Sequence, residues 1–97
     1  MSEVPEPEIR DNTAASRYEL TVDGHVAFIA YEPMAGGRVF VHTEVPSALE
    51  GRGVGGRLVK GALLDMRSRG WKVQPDCPFV ASYIERHPEF ADLVAGA

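Results

Sequence analysis

The chain has 97 residues, enough for one hydrophobic core and too few for a multi-lobed enzyme. With 44% hydrophobic and 25% charged residues it has the composition of an ordinary globular domain, and no apolar run reaches membrane-spanning length. The single cysteine excludes an intrachain disulfide and implies a reducing, cytoplasmic setting, and the net charge of -4 argues against nucleic acid as a partner.

Residues 1–16 are polar and proline-bearing, and they hold Glu3, Glu6, Glu8 and Asp11 against Arg10 alone. Without apolar periodicity this stretch reads as a disordered acidic tail, which places the domain at residues 17–97. Alternation begins at "RYELTV", a strand, and Asp23-Gly24 is a two-residue hairpin signal. "HVAFIAYE" follows as a second strand, apolar at nearly every position and so expected to be covered on both faces. After the turn "PMAGG", "RVFVHTEV" alternates as a third strand and completes an antiparallel meander.

Beyond Pro46 the period changes. Leu58, Val59, Ala62, Leu63 and Met66 recur at helical spacing, and Gly70 is placed to end the helix in a left-handed conformation. "WKVQP" is a short strand, expected to lie parallel to the third because a helix joins the two. Pro78 opens a last helix that Pro88 stops. The expected fold is α+β: an antiparallel β meander, then a β-α-β unit and a C-terminal helix, in one mixed sheet.

The stretch with the strongest chemical signal is "EGRGVGGR", which puts four glycines between Gly51 and Gly56 at the mouth of the first helix. Glycine is costly to order, so the cluster needs a reason. Free backbone N–H groups at a helix start, aligned with the helix dipole, make a phosphate cradle. The net +5 carried between Arg52 and Lys72 agrees with an anionic ligand. A P-loop requires Gly-Lys-Ser/Thr, and Gly56 is followed by Arg57 and Leu58. Gly51, Gly53 and Gly56 do satisfy a dinucleotide fingerprint, with Asp76 twenty residues on. That motif follows its strand directly, however, and here Pro46 to Glu50 intervene in a chain too short for a doubly wound sheet.

Glu50-Gly51-Arg52-Gly53-Val54-Gly55, lying between a strand and a helix, resembles the pyrophosphate loop of the GNAT superfamily of N-acetyltransferases, [QR]-x-x-G-x-[GA]. Gly53 and Gly55 match, and Glu50 departs from the usual Gln or Arg. Together with "HTEVP", "CPFVASYI" and "RHPEF" in that order, the chain from Arg17 to Val94 is similar to short single-domain GNAT-like proteins. The resemblance implies acetyl-CoA as ligand, its pyrophosphate held by Gly51, Arg52, Gly53, Val54, Gly55, Gly56 and Arg57. It implies a pantetheine arm along Thr43 to Val45, inserted where that strand splays from Trp71–Pro75, and it implies no metal.

For the chemistry, the resemblance sets Glu44 at a strand position where many members carry a base, with His42 on the same face. Cys77, just before Pro78, is expected at the N-cap of the last helix, where free N–H groups and the dipole favour a thiolate. Short GNAT-like relatives carry a cysteine there, which makes Cys77 a candidate nucleophile for an acetyl-cysteine intermediate. Tyr83 falls about where the superfamily places a tyrosine that protonates the departing thiolate. Larger members have a further strand and two helices first, so the acceptor site is expected to be open, supplied by a partner, or built across a homodimer. The implied activity is acetyl transfer to an unidentified amine by a monomer or homodimer. The alternative is a non-catalytic CoA-binding module that senses or interacts.

Overall fold

The computed structural model describes residues 9–96. Strands β1 (Arg10–Asn12), β2 (Arg17–Val22), β3 (His25–Met34) and β4 (Gly37–Glu44) form the meander. Helix α1 (Val54–Arg69), strand β5 (Lys72–Pro75) and helix α2 (Pro78–Arg86) follow, and short 3-10 turns lie at Thr13–Ala15, Ser47–Leu49 and Pro88–Leu93. The five strands run in the order β1-β2-β3-β4-β5, antiparallel up to β4, with β5 parallel to β4. The α+β expectation holds, and so does each strand and helix from Arg17 onward. Among the described residues no helix is long and apolar enough to cross a membrane.

Local chemistry explains the joints. Asp23 and Gly24 both take positive φ, 52° and 79°, as a type I′ hairpin turn requires. At the end of α1, Gly70 has φ 72° and donates to the Arg67 carbonyl while Trp71 donates to that of Met66, the two bonds of a Schellman motif.

One face of the sheet carries the core. Tyr18, Leu20, Ala27, Ile29, Tyr31, Phe40 and Val73 meet Leu58, Val59, Ala62, Leu63 and Met66 of α1, with Val80, Tyr83 and Ile84 of α2 completing it. The expectation that β3 is covered on both faces fails: Val26 and Glu32 are exposed and Phe28 is half-buried. Phe28 is instead shielded by the Arg17 guanidinium, 4.5 Å from its ring centroid.

The disordered tail is also corrected. Residues 1–8 lie outside the described residues, but Arg10–Asn12 pair with Arg17–Glu19 as a sheet edge. Ile9 packs on α1 so closely that a Cβ on Gly61 would overlap its side chain. Charge holds the segment down: Asp11 accepts from Tyr31 Oη (2.5 Å), Arg38 (2.9 Å) and Arg69 (3.2 Å). Periodicity cannot reveal a three-residue strand anchored by polar bonds to residues up to 58 positions away.

Candidate functional site

The site begins where β4 parts from β5. Their parallel pairing runs from Gly37↔Lys72 to Phe40↔Pro75, and the Cys77 amide closes it on the Phe40 carbonyl at 2.9 Å. Beyond Phe40, β4 continues four residues to Glu44 without β5 beside it. A bulge accompanies the parting. Tyr31 faces Phe40 and Ala30 faces His42, so Val41 is an extra residue on β4. Such a bulge bends the strand and reverses which side chains face the core.

The bulge decides the placement of three candidates. In an unbroken strand His42 and Glu44 would share the buried face with Phe40. Instead Thr43 faces inward, opposite the fully buried Ile29, while His42 and Glu44 turn to the open face. There they form a pair, His42 Nε2 to Glu44 Oε1 at 3.0 Å, with side chains 59% and 60% exposed.

Against the free end of β4 lies a cavity of about 430 Å³. Thr43 and Val45 line it from the strand, Leu49 and Glu50 from the connecting turn, Gly51, Gly53, Val54, Gly55 and Gly56 from the loop and α1, and Phe79 from α2. The glycines are bare for different reasons. Gly51 and Gly53 have φ of 81° and 72°, a conformation that costs other residues energy. At Gly55 a Cβ would stand 2.8 Å from Cζ of the partly exposed Phe79, so that ring would have to shift. Gly56 is under neither constraint, since a Cβ would meet only Tyr83 at an ordinary 3.7 Å.

Gly53 is the N-cap of α1, with no side-chain cap. The Arg57 amide bonds the Gly53 carbonyl at 3.1 Å, so the amides of Val54, Gly55 and Gly56 precede the first helical bond. Uncapped amides and the dipole at a cavity wall suit an anion, and the glycines keep side chains out of the way. The residues present therefore fit a pyrophosphate. Seven of the nine expected binding residues line the cavity. Arg52 does not: its guanidinium is 2.9 Å from Asp23 in the hairpin turn. Arg57 is exposed one step beyond the wall, and the exposed Glu50 is one of the wall residues.

Cys77 caps α2 as the Pro78 signal implies, and it is 4% exposed. Its Sγ is 3.2 Å from Oγ1 of Thr43, which connects it to the cavity wall. The structure thus separates the catalytic candidates, with Cys77 and Thr43 on the helix-bearing side of β4 and His42 with Glu44 on the open side. Tyr83 is buried, its ring stacked on His87 at 3.9 Å between centroids and 15° between planes. Burial first, and the Glu89 carboxylate second, push its hydroxyl pKa up, so it stays protonated at neutral pH.

Sequence reasoning missed Leu49 and Phe79. Leu49 is a core residue in a turn too short for periodicity. Phe79, 42% exposed in the first turn of α2, is an apolar residue at a position usually polar, and that was the available signal.

Residues 17–93 match the family model described as GCN5-related N-acetyl-transferase, and the chain belongs to that family. No curated protein matches it. The matched span contains the loop, α1, β5 and α2, and it leaves β1 outside.

Proposed function

We propose that the protein is an N-acetyltransferase with acetyl-CoA as donor and an amine as acceptor. The observation that carries this reading is the uncapped start of α1, opening on a cavity at the point where β4 leaves β5. The amides of Val54, Gly55 and Gly56 would hold the pyrophosphate, with Thr43 and Val45 beside the pantetheine arm. The donor supplies a thioester, an acetyl group activated toward nitrogen nucleophiles.

An amine must lose a proton before it can attack, and Glu44, bonded to His42, would be the base for an acceptor that approaches from the open side of β4. Tyr83, kept protonated by burial, has the proton that a leaving thiolate needs. The contact between Thr43 and Cys77 favours a second route. In it the Cys77 sulfur would attack the acetyl carbonyl, the bond to the CoA sulfur would break and CoA would leave as its thiol with the proton Cys77 gave up. The amine would then displace the Cys77 sulfur, forming the amide and returning its proton to the thiol. A buried free thiol suits a reducing, cytoplasmic setting.

Calorimetric titration with acetyl-CoA, and with NAD as control, tests the reading. Heat from acetyl-CoA alone is expected, and no heat from it would overturn the assignment. Intact mass after incubation then separates the routes: acetylated Cys77, absent in Cys77→Ser, supports the covalent one. Binding without acetyl transfer to Cys77 or to any amine would leave a CoA-sensing module.

A further inference from the structure

Two cations near the start of α1, Lys60 and the Arg57 expected at the pyrophosphate, lie outside the cavity wall. Arg57 and Lys60 are exposed, and no described carboxylate or carbonyl binds either side chain. Their neighbours differ: Arg52 is held by Asp23, Arg67 by Asp92, Arg69 by Asp65 and Lys72 by the Asp92 carbonyl. In an α-helix the Cα–Cβ bond tilts toward the N-terminus, so a side chain covers the turn before its own Cα. Lys60 comes four residues after Gly56 and Arg57 four after Gly53, so each is about one helical turn from a glycine of the cavity wall. Neither is in the wall itself. The start of α1 thus lines the cavity, while the two cations are exposed outside its wall.

We propose that Arg57 and Lys60 form a second phosphate site, which takes the 3′-phosphate monoester of CoA while the amides of Val54 to Gly56 take its pyrophosphate. The proposal rests on the acetyl-CoA reading and extends it, because it makes the protein discriminate CoA from dephospho-CoA. A phosphate monoester carries close to two negative charges and three acceptor oxygens. Lysine and arginine meet it with charge-assisted bonds. Solvent exposure limits each pair to a modest gain, and Glu50 in the cavity raises the need for such a gain.

The test is calorimetry of the full chain with CoA and with dephospho-CoA, on the wild type and on the double variant Arg57→Gln/Lys60→Gln. Glutamine is a good helix former, so both exposed positions keep the helix. In the wild type CoA is expected to bind roughly five- to thirtyfold more tightly than dephospho-CoA. In the variant CoA should fall to the dephospho-CoA value, which itself should not move. Equal wild-type affinities would overturn this inference and leave the pyrophosphate cradle standing, as would a variant that loses both ligands in proportion. Failure of both nucleotides to bind the wild type would overturn the cradle and this site together.

Discussion

Gly56→Ala isolates the cost of the glycine cluster. Gly56 is the third helical residue of α1 and has no positive φ, so alanine can adopt its backbone conformation. The new methyl would lie 3.7 Å from Cε2 of Tyr83, with no other neighbour near enough to crowd it. Replacing glycine in such a position gains about 0.5–1 kcal/mol, chiefly by restricting the unfolded chain. In a domain of this size that raises the midpoint by roughly 2–8 °C, read by thermal unfolding. Because the methyl faces Tyr83, which is not in the cavity wall, the Gly56 amide stays open and acetyl-CoA affinity should remain within about threefold. Gly53→Ala is the contrast: its φ of 72° should cost about 1–2 kcal/mol. A lower midpoint for Gly56→Ala, or abolished binding by a folded variant, would refute the assignment of that methyl and with it the geometry of the cradle.

Asp11→Ala should destabilise by about 2–3 kcal/mol in urea unfolding, because it leaves the largely buried Arg38 guanidinium and the Tyr31 hydroxyl without their carboxylate. An effect below about 0.5 kcal/mol would mean that β1 is not held by charge. The Glu19 carboxyl is kept below its ordinary value of 4.5, first by the Arg17 hydrogen bond and then by that from Asn12. Its folded pKa is depressed, so its contribution is present above about pH 4.5 and is lost as pH falls through the lower folded value. Glu19→Gln should therefore flatten the stability curve below pH 4.5, and an unchanged acid limb would exclude Glu19 as its source. Glu50→Gln removes a carboxylate from the cavity wall and should tighten acetyl-CoA by about three- to tenfold at low salt, an effect that added salt diminishes. Unchanged affinity in calorimetry would put Glu50 out of reach of the phosphates.

Much of this was legible because the signals are local. The Asp23-Gly24 hairpin, the helical spacing from Leu58 to Met66, the Gly70 stop and the Cys77-Pro78 start each depend on a few adjacent residues. The glycine loop was legible for the same reason, since bare glycines before an amphipathic run announce exposed amides. Arg52 was not: its charge looked available, and only the approach of the hairpin turn ties it to Asp23.

The sequence by itself determined the strands and helices from Arg17 onward, their order, and a glycine-lined start of α1. Period, turn chemistry and capping act within a few residues, and nothing distant overrides them here. Only the tertiary structure decided what faces what. One extra residue at Val41 turns His42 and Glu44 away from Cys77, and alternation read along β4 cannot register it, because the bulge exists only against β3. The Phe79 ring, from another helix, comes to rest where a Gly55 side chain would lie, and β1 is ordered because Asp11 meets Arg38, Tyr31 and Arg69 from three other parts of the chain. Those contacts join residues far apart in sequence, and their energies arise only once the sheet and its helices have closed around them.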